Sequence, residues 1–220
     1  MTDPGGQSPR ERYRTQVRAE IKGHAWEQIA TAGVSALSLN AIAKQMGMSG
    51  PALYRYFAGR DELITALIRD AYRSLADTVR AAHDSGTDLS GLAGVIREWA
   101  RSDPQRYFLI YGTPVPGYHA PDDITAIASE VMSVLLEACG APPSADGQAT
   151  PFDAHLENHR EWAGDHPATT ATLHRALSFW TRLHGVLSLE LAGHFTGMAF
   201  DPDLLITEEL QGLSPNPQGV

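Results

Sequence analysis

The sequence predicts an all-α protein. Apolar residues recur every three or four positions over most of its 220 residues, β-branched alternation is scarce, and glycines and prolines punctuate the ends of the periodic segments. A hydrophobic share of 43% against 20% charged residues is enough to build a buried core.

Val17, Ile21, Ala25 and Ile29, with Trp26 beside them, set one apolar stripe on a first helix from about Arg10 to Ala32, and Gly33 ends it. Leu39, Ile42, Ala43 and Met46 then fall at helical spacing and predict a short second helix over 39–46. Gly47 supplies a turn, Ser49 suits an N-cap and Pro51 is tolerated in a first turn, so a third short helix is expected over 50–57. Beyond Ala58-Gly59, acidic Asp61 and Glu62 open a long amphipathic helix through Ile64, Leu67, Ile68, Ala71, Leu75 and Val79 to about 82.

Further helices are expected near 88–102, 104–112, 122–139, 153–163, 167–195 and 202–212. The segments "GTPVPGYHAPDD" and "GAPPSADGQATP" are predicted loops, and "SPNPQGV" a frayed tail.

The formal charge of −9 hides a division. Residues 1–60 carry 8 Lys+Arg against 4 Asp+Glu, whereas the remainder carries 9 against 22. A basic head on an acidic body places any phosphate-binding patch in the head. We therefore expect a DNA-binding domain over 1–60, with the connecting helix to about 82, and an effector-binding and dimerisation domain over 83–220. No run reaches the ~18–20 apolar residues of a membrane span, and "MTDPGGQSPRERYR" lacks the apolar centre of a secretory signal. The expected compartment is the cytoplasm, with no membrane partner. A lone Cys139 rules out an internal disulfide framework and reads as a small buried hydrophobe.

Two short helices across a glycine turn have the sequence form of a helix-turn-helix, whose second helix enters the major groove. With Leu53 and Phe57 facing the core, Ala52, Tyr54, Arg55 and Tyr56 turn outward. Tyrosine hydroxyls donate to phosphate oxygens and arginine can bind guanine bidentately. Arg10, Arg12, Arg14, Lys44 and Arg60 lie where a basic rim would run.

The stretch "AWEQIATAGVSALSLNAIAKQMGMSGPALYRYFAGRDELITAL" resembles the DNA-binding domain of the TetR family of bacterial transcriptional regulators, over about residues 14–80. That resemblance implies that Ser38, Ser49, Tyr54, Tyr56 and Arg60 touch phosphates and that Pro51, Ala52 and Arg55 approach base edges. Asn40 stands where many members have arginine, and Gly50 where some have lysine, which leaves base readout by hydrogen bonds largely to Arg55. "FWTRLHGVLSLELAGHF", carrying Trp180, His184 and Gly185, is similar to the W-x3-H-G signature of one C-terminal subclass, and "YFLIYGTPVPGY" is similar to a segment found upstream of it.

In the body, Leu173, Leu177, Trp180, His184, Leu187 and Leu191 alternate spacings of four and three, a seam fit either for the chain's own core or for a partner helix. The resemblance implies a homodimer through Pro167–Phe195 and Pro202–Gly212 on a palindromic DNA operator. It also implies a small-molecule effector; the candidate walls are Trp99, Tyr107, Phe108, Tyr111, Met132, Leu136, Trp162 and Trp180, with His184 as a polar anchor.

His155 and His159, four apart with Asp153 and Glu157 nearby, could chelate a metal, and His184 could serve as a general base. An enzyme is thus the alternative reading, and a DNA-binding activator without effector a further one. No Gly-rich phosphate loop, nucleophile elbow or HExxH is present, so neither catalysis nor a cofactor is expected.

Overall fold

A computed structural model describes residues 8–112, 118–140, 150–211 and 213. The expected tail, residues 113–117 of the first Pro/Gly-rich loop and of "YFLIYGTPVPGY", residues 141–149 of the second loop, and Gly212 lie outside the described residues. Among those described there are ten α-helices and no strand.

They are α1 (Pro9–Ala32), α2 (Leu39–Gln45), α3 (Gly50–Leu53), α4 (Arg60–Asp84), α5 (Leu89–Ser102), α6 (Pro104–Tyr111), α7 (Asp122–Cys139), α8 (Pro151–Asn158), α9 (Thr170–Leu191) and α10 (Pro202–Gln211). They group into two compact units. One holds the described residues up to Ala71 with those of Gln105–Pro121, and the other those of Tyr72–Pro104 and from Asp122 onward.

In the first unit α1 begins with a reciprocal cap. Ser8 N–H donates to Glu11 Oε2 at 2.7 Å and Glu11 N–H returns to Ser8 Oγ at 3.2 Å. Its expected stripe is the buried one, Val17, Ile21, Ala25 and Ile29. Gly33, at φ 76°, lets the chain leave the helix in a conformation costly for a residue with a Cβ. Leu37, Leu39, Ile42, Leu53, Phe57, Leu63, Ile64 and Leu67 complete this core.

The third helix departs from expectation. Only Gly50–Leu53 is α-helical, and Tyr54–Tyr56 continue as tighter turns in which Tyr56 N–H bonds Leu53 O at 2.8 Å. Glycine and proline open the segment, and neither favours helix extension from within.

The second unit is built around α9, which packs on α5, α7, α8 and α10. Leu173, Ala176, Phe179, Leu183 and Leu187 are its fully covered face. Of the seam defined by spacing, Leu173 and Leu187 belong to the chain's own core, Leu177, Trp180, His184 and Leu191 are half-buried, and Gly185, Leu189 and Ala192 stand exposed beside them. Helix α9 is also shorter than 167–195, starting after its N-cap Thr169 and ending at Leu191. The expected 153–163 helix is split, because α8 stops at Asn158 and a 3-10 turn follows at Glu161–Ala163.

Ion pairs fasten the second unit. Arg73 meets Glu130 at 2.6 and 2.8 Å, and Arg80 meets Glu137 at 2.6 and 3.2 Å, joining α4 to α7. Each arginine holds its glutamate below the usual carboxylate range. Arg97, buried on α5, grips Glu190 of α9 through two bonds of 2.7 and 2.8 Å and also donates to Asp203 of α10. Cys139 is buried, and burial pushes its thiol up to about 11.

Candidate nucleic-acid interface

Helix α2 presents its start and one face to solvent. Ser38 is its N-cap; Oγ accepts from Ala41 N–H at 3.3 Å while Ser38 N–H donates to Gln28 Oε1 at 2.9 Å. A hydroxyl used as acceptor still has its proton to give to a phosphate. Asn40 and Lys44 are exposed on the same helix.

Helix α3 starts against it, since a Cβ on Gly50 would lie 3.5 Å from Asn40 Oδ1. Ser49 is the N-cap in backbone geometry but makes no side-chain capping bond, which leaves its exposed hydroxyl turned to solvent. Pro51 is exposed and Ala52 half-buried.

The reading segment proper divides by side. Leu53 and Phe57 are fully buried, whereas Tyr54 is 48% exposed, Arg55 exposed and Tyr56 half-buried. An outward Tyr-Arg-Tyr on a surface turn is available to a partner. Its backbone is held from α1: Arg14 Nη2 donates to Arg55 O at 3.4 Å, and Arg18 Nη1 donates to Tyr56 O. Arg18 also lies over the Phe57 ring at 3.9 Å and faces Glu62 at 3.4 Å.

Sequence reasoning placed Arg14 on the rim and passed over Arg18. The available signal was its spacing, four residues after Arg14 and one after buried Val17, which turns a long cation along the edge of the apolar stripe. Arg60 is half-buried and donates to Val34 O at 2.8 Å, so it braces the 3-10 turn at Val34–Ala36.

The candidate effector residues fall in both units. Tyr107, Phe108 and Tyr111 lie on α6 in the first unit, their rings 5.6 and 5.4 Å from centroid to centroid about Tyr107. Trp99, Met132, Leu136, Trp162, Trp180 and His184 lie in the second. Trp99 and Leu136 are buried, with Trp99 Nε1 donating to Ser74 Oγ at 3.1 Å. Trp180 and His184 are half-buried with ring centroids 3.9 Å apart, and burial pulls the imidazole down to about 4.

The histidine pair of α8 is occupied differently from a chelate. His155 and His159 stack at 4.0 Å, and His159 Nδ1 sits 2.9 Å from His155 O. Asp153 is held to about 2 by its bonds from Thr150 and His174, and Glu157 accepts from Thr170. Among the described residues no three His, Cys, Asp or Glu side chains are placed to share a metal.

Comparison with known proteins agrees with this geometry. Residues 23–67 match the family model described as bacterial regulatory proteins, tetR family, and residues 89–213 match that of the tetracyclin repressor-like C-terminal domain. The chain is 36% identical to HTH-type transcriptional regulator Rv1816 of Mycobacterium tuberculosis and to Mb1846 of Mycobacterium bovis, in each case over 87% of this chain and 88% of the relative. A crystal structure of SCO4313, described as a regulatory protein, is 72% identical, covers 94% of this chain and 98% of its own, and superposes with a TM-score of 0.87. A buried-and-exposed division of the Tyr-Arg-Tyr turn, two family models in chain order and these relatives lead to one conclusion: the chain belongs to the TetR family of bacterial transcriptional regulators.

Proposed function

We propose that the protein is a ligand-responsive repressor that binds a palindromic operator as a homodimer and is released by a small-molecule effector. Residues 1–60 form the DNA-binding domain and 83–220 the effector-binding and dimerisation domain. The observation that carries the reading is the exposed Tyr54–Arg55 pair on a turn whose backbone is pinned from α1.

Arg55 reads a base edge, with Pro51 and Ala52 beside thymine methyls or shaped DNA. Ser38, Asn40, Lys44, Ser49, Tyr54 and Tyr56 hold phosphates or sugars, with the backbone at Gly50 drawn close. Arg60, already bonded to Val34 O, assists through its remaining nitrogens. The partner being DNA, the site of action is the cytoplasm.

The second copy is expected on the exposed face of α9 and α10. Leu189 is 45% and Leu204 70% exposed, and Gly185 and Ala192 allow close approach. Effector chemistry follows from Trp180 and His184, an indole against a neutral imidazole. Such a pair suits an apolar molecule carrying one hydrogen-bonding group. The effector releases DNA by binding one conformation of the dimer more tightly than the other.

Selecting duplexes from a random pool with the full-length protein tests this. The expected product is an inverted repeat whose half-sites lie about one helical turn apart, or a multiple. A Leu204→Glu variant is expected to sediment as a monomer and to lose that duplex. Enrichment of no duplex would refute the reading.

A further inference from the structure

The reading segment is too short to hold its own shape. Four α-helical residues and three turn residues have no stability as an isolated helix, and a segment of this kind takes its conformation from what grips it. Beyond the burial of Leu53 and Phe57, the backbone of the turn is gripped from α1 by Arg14 and Arg18.

Arg18 has three engagements within the first unit. It donates to Tyr56 O, its guanidinium lies 3.9 Å from the centroid of the Phe57 ring, and it faces Glu62 at 3.4 Å. Glu62 in turn accepts from Ala58 N–H at 2.6 Å, which closes the connection to α4. The Arg18 side chain is 30% exposed, so most of it is spent inside the head.

We propose that Arg18 is a positioning residue for DNA recognition: without touching DNA, it fixes the backbone at Tyr56 and the Phe57 ring so that Tyr54 and Arg55 leave the turn in one direction. The inference rests on the DNA-binding reading above. A guanidinium bonded to a carbonyl, stacked on a ring and facing a carboxylate has both terminal nitrogens engaged and its charge locally balanced. It is a poor phosphate ligand. Non-specific binding counts positive charges, whereas recognition of one sequence needs side chains held within about 0.5 Å. Arg18 therefore serves recognition and not bulk affinity. Arg14 differs, because its one bond to Arg55 O is 3.4 Å long and its side chain is exposed, leaving its charge to the rim.

The test uses the full-length protein and the duplex that wild type selects from a random pool. Arg18→Met keeps an apolar stem on Phe57 and removes the charge and donors. Its affinity for the selected duplex is expected to fall about tenfold or more, while affinity for an unrelated duplex stays within about threefold. The slope of log affinity against log salt is expected to match wild type, since each lost phosphate contact would lower it by about 0.9.

Far-UV circular dichroism and a cooperative melt check the fold. Arg18→Lys, which keeps the charge but not the planar stack, is the second variant and is expected to lose at least about threefold on the selected duplex alone. Unchanged affinity in a folded variant would overturn the inference. So would equal losses on both duplexes, or a slope lowered by about one. Failure of wild type to select any duplex would instead refute the DNA-binding reading, and this inference with it.

Discussion

The arginines around the reading turn and those that clasp helices of the second unit have different partners. In the first unit, Arg14, Arg18 and Arg60 donate to the backbone carbonyls of Arg55, Tyr56 and Val34. In the second, Arg73, Arg80 and Arg97 clasp carboxylates of Glu130, Glu137 and Glu190 through paired bonds, while Arg160, Arg175 and Arg182 donate to backbone carbonyls. A carbonyl satisfies a guanidinium's geometry without cancelling its charge, and a carboxylate does both. Arg14 and Arg60 thus brace the head while keeping their charge, whereas Arg18 sets part of its charge against Glu62.

That contrast can be broken from either side. The largest effect is expected from Phe57→Ala, which empties a fully buried site under the reading turn and costs about 3–5 kcal/mol. Hydrogen exchange should show lost protection over α2 and α3 with α9 still protected. Next comes Glu190→Ala, which leaves the buried Arg97 with Asp203 alone and costs about 3 kcal/mol by denaturant melts.

Acid sharpens the same point in the body. Burial keeps His184 neutral down to about 4 against an ordinary 6.5, so between those values the unfolded chain takes a proton that the folded chain refuses. Stability should fall as pH drops through that window, by up to about 3 kcal/mol, and His184→Leu should flatten the slope by one proton. The smallest effect is expected from Arg73→Ala. Its pair with Glu130 is 41% and 51% exposed, and the loss should stay under about 1 kcal/mol.

Much of the head was legible because its signals are local. The α1 stripe, Gly33, and the inward Leu53 and Phe57 all follow from spacing within one element. The length of α3 was not legible, because Gly50 and Pro51 mark a start while its end depends on how the turn is held from α1. Arg18 was missed for the same reason: its partners Tyr56 and Glu62 lie 38 and 44 residues away.

In the body, helix positions were legible from periodicity, and the role of each face was not. Helix α9 carries apolar residues on more than one stripe, and spacing cannot say which one meets the chain's own core. Leu173 and Leu187 went inward while Leu189 stayed out. The aromatic candidates were grouped by residue type, and type does not record which unit each helix belongs to.

The central claim is that the Tyr54–Arg55 turn reads DNA, and titrating the selected duplex with Arg55→Ala tests it most directly. The account predicts an affinity loss of about 10- to 100-fold with the dimer intact by sedimentation, and relaxed preference at one base pair of each half-site. Wild-type affinity and preference in that variant would contradict it.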